Sequence, residues 1–209
     1  FPLHDVRLIA VSDGVDSDEG DNEFTPFRNI MNEWYLRDAS RKQKQAYQSR
    51  VKSGIPATNH VVYGYRKDPD RKHHWLVDEE AAEVVRRIFH LAASGLGVQH
   101  IAETLHREHI ERPTAYMHRK GYADHEFREF LNRPYDWNAS TVSAMLKRPE
   151  YLGHSVCFRH TNISYKTKQQ RINDPSDWII LENTHEPIVD KELFDLAQRN
   201  RRTVRRDGK

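Results

Sequence analysis

The sequence predicts a mainly helical α+β chain, and three observations carry that reading. Apolar residues recur at helical spacing between 78 and 105, positions 27 to 53 contain neither Gly nor Pro, and β-branched runs are few and short. At 209 residues the chain can hold one ordinary domain or two small ones. Charged residues make up 31% of it and hydrophobic ones 37%, so a large solvated or ligand-facing surface is expected.

Val6 to Val11 (VRLIAV) is a short apolar run followed by the turn signal Ser12-Asp13-Gly14, and it reads as a buried strand. A lone strand is no domain, so its neighbours are expected outside the chain. From Thr25-Pro26 a helix is expected to run to about residue 53, with Thr25 as N-cap and Pro26 at the first helical position. Ile30, Met31, Trp34 and Tyr35 give its first half an apolar stripe, expected to be packed; after Ser40 the stripe thins to Ala46, Tyr47 and Val51. At 1.5 Å per residue such a helix spans about 40 Å.

Residues 54–76 have turn-formers at Gly54, Pro56, Gly64 and Pro69 with mixed charge, and read as an extended linker with a short strand at Val61 to Tyr65. Asp78 then caps a periodic helix whose buried face is Val84, Val85, Ile88, Phe89 and Leu91, closed by Ser94-Gly95. Gly97 opens a second helix carrying Val98, Ile101, Ala102 and Leu105, which gives a helix-turn-helix pattern of weak specificity. Residues 111–137 read as a polar insertion with a short helix at 124–131. A third helix follows from about Ser140 to Lys147, with Val142, Met145 and Leu146 inward and Pro149 as its stop. Tyr151 to Phe158 and Trp178 to Glu182 look like strands. Asp190 caps the last helix, with Val189 and Phe194 placed for a hydrophobic staple.

The net charge of +2 announces no partner, but its distribution is uneven. Residues 5–33 are acidic, whereas Arg41, Lys42, Lys44, Arg50 and Lys52 form one basic cluster. Lys147, Arg148, Arg159, Lys166, Lys168 and Arg171 form another, and the arginines from 199 to 206 a third. Lys and Arg neutralise phosphates and release condensed counterions, so such clusters suit a polyanion met by several surfaces. For the first cluster an ordinary solvated helix face fits the composition equally well. The third helix offers Asn138, Ser140, Thr141, Ser143 and Lys147 on its polar side, groups able to read base edges. The second helix carries Arg107 against Glu103 and Glu108, so the third helix and the loop after it are preferred as the groove reader.

No motif for an independent enzyme is present: no G-x-S-x-G, no Walker loop, no H-E-x-x-H and no dinucleotide fingerprint. His73-His74 are adjacent, and His100, His106 and His109 lack an i, i+4 pair, so no metal site is expected from the histidines. The acidic stretch from Asp13 to Glu23 misses EF-hand spacing. Cys157 is the one cysteine, which excludes an internal disulfide and suggests a small buried residue. There is no basic-then-apolar leader and no apolar run of about eighteen residues. With Phe1 in first place, the chain is expected to be a piece of a longer, soluble, cytoplasmic protein.

Taken in order, these segments resemble a family. The run Arg28-Asn29-Ile30-Met31-Asn32-Glu33-Trp34-Tyr35-Leu36-Arg37-Asp38-Ala39-Ser40-Arg41-Lys42 looks like the start of the long helix that ends the catalytic domain of large serine recombinases, the transposon resolvases and phage integrases. Val6 to Ser17 resembles the strand and loop before that helix. Tyr63-Gly64-Tyr65, Val77 to Phe89, Gly95 to Leu105, Trp137 to Leu146, Tyr151-Leu152-Gly153 and Glu182 to His185 resemble successive signatures of the family's recombinase domain.

The resemblance implies a layout. Residues 1–24 would be the last strand and loop of the catalytic domain, 25–53 the long connecting helix and 54–76 the linker. Residues 77–200 would be the DNA-binding recombinase domain with a small β-hairpin or sheet, and 201–209 a basic tail leading to a zinc-ribbon domain beyond the chain. It also implies a mechanism: in the full-length protein a serine attacks a DNA phosphodiester, leaving a phosphoserine link, and dimers pair into tetramers that exchange strands of attachment-site duplexes. Within the chain the resemblance implies no cofactor, since zinc belongs to the ribbon, no nucleophile and no membrane partner. Arg37 is the candidate transition-state arginine, with a plain intrahelical salt bridge as the alternative. A non-enzymatic helix-turn-helix regulator is the competing function, and a protein adaptor the third.

Overall fold

The computed structural model describes residues 7, 9–10, 15–16, 24–56, 61–122, 132–163 and 169–207. The fold is α+β and mainly helical, with six α-helices among the described residues. The chain divides into two compact units, one of Phe1–Ser49 with His160–Ile172, the other of Arg50–Arg159 with Asn173–Lys209.

In the first unit, β1 (Ile9–Ala10) pairs antiparallel with β2 (Val15–Asp16), Ile9 opposite Asp16. The strand expected at Val6 to Val11 thus covers two described residues, and β2 within the chain pairs with one of its edges.

Helix α1 (Phe24–Lys52) starts two residues before Pro26, the expected first helical position, so Thr25 falls in its first turn. Its apolar half is not packed, contrary to expectation: Phe27, Ile30, Met31, Trp34, Tyr35 and Leu36 are all exposed. Positions 27, 30, 31 and 34 do make a stripe at helical spacing, but no described element covers it. Strands β6 (His160–Asn162) and β7 (Gln170–Ile172) pair antiparallel, Thr161 opposite Arg171.

The second unit holds the core. Strands β3 (Tyr65–Lys67) and β4 (Trp75–Val77) form a hairpin, with Tyr65 opposite Val77. Val62, Tyr63, Tyr65 and Trp75 are buried, so the root of the hairpin joins the core within the stretch expected as a linker over 54–76, while residues 66–72 stay at the surface. The aromatic side chains decide this, because burying one removes more apolar surface than the turn-formers around it can offset. The Tyr65 hydroxyl lies 3.2 Å from the Glu150 carbonyl and 2.9 Å from that of Glu186, which satisfies its polar end.

Helices α2 (Glu79–Ala93) and α3 (Val98–Arg107) follow, ended and opened at Gly95 and Gly97 as the sequence indicates. Val85, Ile88 and Phe89 of α2 and Ile101, Ala102 and Leu105 of α3 are buried, while Val84 and Leu91 pack at the core's edge. Asp78 precedes α2, yet its side chain makes no cap hydrogen bond. Its carboxylate instead takes the Tyr116 hydroxyl, 2.9 Å from both oxygens. Burial and that carboxylate push the Tyr116 phenol far above its usual range.

Tyr116 comes from α4 (Pro113–Arg119), a helix inside the segment read as a polar insertion. Arg119 and Lys120 each reach Glu80 at 2.7 Å, and Arg119 also reaches Glu111 at 2.8 Å. Lys120 first and Arg119 second hold the Glu80 carboxyl down to about 2. The short helix expected at 124–131 lies outside the described residues.

Helix α5 (Ala139–Leu146) buries Val142, Met145 and Leu146 and packs against α3. The strand expected from Tyr151 begins later, because Pro149–Leu152 is a 3₁₀ turn that Gly153 ends at φ +85°. Strand β5 (Ser155–Cys157) then pairs antiparallel with β8 (Ile179–Leu181), and Cys157 is buried in it. Helix α6 (Lys191–Asp207) is capped by Asp190, whose carboxylate accepts the Leu193 N–H at 2.7 Å. It packs against α2, where Gln198 donates to the Leu146 carbonyl and Asn200 to that of Ala93. These are the last carbonyls of α5 and α2, groups that lack a partner within their own helices. No helix among the described residues is long and apolar enough to cross a membrane.

Candidate nucleic-acid interface

The residues singled out in the sequence fall on both units. In the first, Arg37 pairs with Glu33 at 3.0 Å, one helical turn back. Asp38 takes both Lys42 (2.8 Å) and Arg41 (2.6 Å), and these two cations, Lys42 first, hold its carboxyl below the usual carboxylate range. Lys44 is exposed. Arg37, Ser40, Arg41, Lys44 and Gln48 line a shallow groove of about 480 Å³ that Ile163 closes on one side. The groove is thus cationic and amide-rich along one face of α1. Arg171 is exposed on β7, and Lys166 and Lys168 lie outside the described residues.

In the second unit, Arg50 and Lys52 are exposed at the end of α1, where Val51 is buried. The polar side of α5 is partly engaged with itself. Asn138 is its N-cap, and Oδ1 accepts the Thr141 N–H (2.8 Å), the Ser140 hydroxyl (2.6 Å) and the Thr141 hydroxyl (2.8 Å). Three residues read as base-contacting therefore also hold the helix start in shape. Ser143 is half-buried and Lys147 exposed, one turn apart along the same helix.

Arg148 and Arg159 converge on Glu150, whose side chain is 8% exposed. Arg159 lies 3.1 Å from it and stacks over the Trp178 ring at 4.9 Å, whereas Arg148 is at 4.0 Å. Arg159 is accordingly committed inside the fold, and Arg148 stays the more open of the two.

Beneath this cluster sits His185, which sequence reasoning quoted only as part of a signature. Its ring is buried against Tyr65 and Trp75, Nε2 is 2.8 Å from the Glu150 carbonyl and Nδ1 is 3.0 Å from the Thr184 hydroxyl. A carbonyl only accepts, so Nε2 carries the proton and Nδ1 accepts from Thr184. Burial, with His74 and His154 adding, pushes the His185 pKa below its ordinary value. The unfolded chain then binds a proton near pH 6.5 that the folded chain takes only at lower pH. Stability should hold above about pH 6.5 and fall as the pH drops from there through the folded pKa, before the carboxylates titrate below about pH 4.5. Urea titrations at pH 7, 6 and 5 check this. His185→Gln should flatten that limb, and an equally steep limb in the variant would assign it elsewhere.

Among the described residues no three His, Cys, Asp or Glu side chains come together as a metal site would need. The family model Recombinase matches residues 79–204, more than half of the chain. The chain belongs to the Recombinase family. The matched span runs from the start of α2 into α6 and contains the α5 face and the Glu150 cluster. Two solved structures are also similar. One, "Crystal Structure of a LSR-DNA Complex", shares 13% identity over 78% of this chain at a TM-score of 0.45. The other, "Sequence Requirements of the Listeria innocua prophage attP site", shares 17% over 76% at 0.44. The chain spans 38% of the first and 50% of the second.

Proposed function

We propose that this chain is the duplex-DNA-binding portion of a serine recombinase, with α5 as the element that enters the major groove. The observation that carries the reading is the α5 surface within the family match: capped by Asn138, buried through Val142, Met145 and Leu146, and closed by an exposed Lys147. A helix held by its apolar face and offering hydroxyls and a cation on the other has the chemistry to read base edges beside phosphate. Arg41, Lys42, Lys44, Arg50, Lys52, Arg148 and Arg171 supply further phosphate contacts, and Lys166 and Lys168 extend the set.

In the full-length protein the reaction under this reading is site-specific strand exchange that integrates or excises a mobile element. It passes through a phosphoserine whose nucleophile lies outside this chain, so the chain alone does not cut DNA. Arg37 supplies positive charge to the phosphate in the transition state. Work on attachment sites requires self-association into dimers and tetramers, and the setting is the cytoplasm. Zinc belongs to a ribbon outside these residues.

Fluorescence anisotropy on a labelled duplex, repeated over a salt series, tests the reading. Affinity should fall linearly with salt on log–log axes, and Lys147→Ala should reduce the slope by about 0.9 on every sequence. Ser143→Ala should change which sequence is preferred, by about 1–3 kcal/mol at one base pair. An affinity indifferent to salt would favour a protein adaptor instead.

A further inference from the structure

The β3–β4 hairpin has a cationic tip that neither the basic clusters read from the sequence nor the α5 surface includes. From the sequence, residues 66–74 (RKDPDRKHH) carry four Lys or Arg against two Asp. Arg66, Lys67, Arg71 and Lys72 are all exposed, and none makes an ion pair among the described residues. Elsewhere in the same unit several surface cations are matched, Arg86 with Glu79, Arg87 with Glu108, Arg119 and Lys120 with Glu80, while single exposed cations such as Arg107 and Lys191 stand apart from one another on separate helices. Four cations without an ion pair, set within one short loop against two Asp, concentrate anion-binding capacity there.

The loop is also held in one shape. Asp68 Oδ1 accepts the N–H groups of Asp70 (2.9 Å) and Arg71 (3.3 Å), while Oδ2 meets His74 Nδ1 at 3.0 Å. The Asp68 N–H donates to the His74 carbonyl at 3.1 Å, closing the loop across its base. Those backbone N–H groups, with His74 helping, hold the Asp68 carboxyl below its ordinary value. Asp68 is thus held as an anion that braces the loop and forms no ion pair with Arg66, Lys67, Arg71 or Lys72, and the four cations outnumber Asp68 and Asp70. Lys67, Arg71, Lys72 and His73, together with Asp68, His74 and the buried Trp75, line a concavity of about 290 Å³. Trp75 packs on His185, whose Nε2 meets the Glu150 carbonyl, so the hairpin root and the Arg148–Glu150–Arg159 cluster share one set of core contacts.

We infer that the tip of the β3–β4 hairpin is a second phosphate-binding element, gripping the backbone of duplex DNA through Arg71 and Lys72 with Lys67 behind them. The inference rests on the DNA-binding reading proposed above and adds a contact made by a different element. A preformed loop loses little conformational freedom on binding, so its cations act at small entropic cost. Backbone contacts of this kind carry no sequence information and fix register.

The test uses the whole chain on a labelled duplex of about 30 base pairs, over a salt series, with wild type and the double variant Arg71→Ala/Lys72→Ala. Loss of two phosphate contacts should lower the log–log slope by about 1.8 and weaken affinity on the order of 50-fold near 0.1 M salt, alike on all sequences. The swap Arg71→Lys/Lys72→Arg should restore the slope. Arg87→Ala/Lys191→Ala, which removes two cations from the helices of the same unit, should leave it unchanged. Thermal unfolding of each variant reports whether the fold is intact. Should wild type bind with the expected salt dependence while Arg71→Ala/Lys72→Ala keeps both slope and affinity, the hairpin inference fails and the DNA reading stands. A slope lowered equally by Arg87→Ala/Lys191→Ala also overturns it, since overall charge would then be the cause. If wild type does not bind the duplex at low salt, the broader reading fails with it.

Discussion

Replacing Gly153 by Ala should destabilise the second unit by about 3 kcal/mol, combining strain at a left-handed position with overpacking. Gly153 has φ +85°, and a Cβ there would lie 2.6 Å from the His185 carbonyl oxygen. Backbone cannot step aside as the end of a long side chain can. The segment that would move carries Thr184, whose N–H donates to the Gly153 carbonyl at 2.8 Å, and Ile188, whose N–H donates to Tyr151 at 3.0 Å. His185 would move with it, away from the Glu150 carbonyl. Gly121 supplies the control, since its φ is +69° but nothing lies within 4 Å of the added Cβ. Gly121→Ala should therefore show the conformational cost alone, about 1 kcal/mol. Chemical denaturation of both variants separates the two effects. Equal losses would mean that the close approach at Gly153 is relieved without cost.

The helices were legible because their signals are local. The apolar spacing of Val85, Ile88 and Phe89, the break at Ser94-Gly95 and the Asp190 cap each lie within one or two helical turns. The hairpin at residues 61–77 was hidden by its own turn-formers. Gly64 and Pro69 suggest a linker when read one by one, whereas Tyr63, Tyr65 and Trp75 acquire meaning only when α2 and the 3₁₀ turn at Pro149–Leu152 are in place to bury them. The aromatic spacing was the available signal, and it points to a strand pair. Asp78 shows the same limit. Its position before α2 is that of a cap, but Tyr116, 38 residues further on, takes its carboxylate.

The candidate interface was legible as charge and not as geometry. Lys147 and Ser143 could be placed on the α5 surface from helical spacing alone. That Arg159 turns inward could not, because its partner Glu150 is buried through the 3₁₀ turn that replaces the expected strand. Asn138, Ser140 and Thr141 were read as base-contacting, although a polar residue directly before a helix is also the usual N-cap, and here one oxygen serves that role for all three. Arg71 and Lys72 were missed because their stretch has mixed charge on paper. Only the folded loop shows that the Asp68 carboxylate turns to its own backbone and His74 and forms no ion pair with those cations.

The Glu150→Ala variant should be the second strongly destabilised one, again by about 3 kcal/mol. Truncation leaves the Arg159 guanidinium, now 3.1 Å from the carboxylate, partly buried over Trp178 without its counter-charge. Removing one member of a buried pair costs about 3–5 kcal/mol, and the lower end applies because the Arg159 side chain keeps 23% exposure. Glu150→Gln keeps the shape and one acceptor oxygen, so it should lose about half as much. The Glu150 backbone carbonyl, which meets Tyr65 and His185, survives either change. The fold therefore persists, and the loss belongs to the side chain. Arg159→Ala combined with Glu150→Ala should cost less than the two separate losses added together, with a coupling of about 1–2 kcal/mol from urea midpoints. Strict additivity would mean that the pair is solvated and holds nothing. Glu150→Ala also removes the carboxylate that Arg148 approaches at 4.0 Å, leaving that more exposed arginine without a counter-charge just after α5 while softening the turn that follows it. Under the DNA-binding function proposed above, at low temperature, where the variant stays folded, its duplex affinity should rise on all sequences and its discrimination among them should fall.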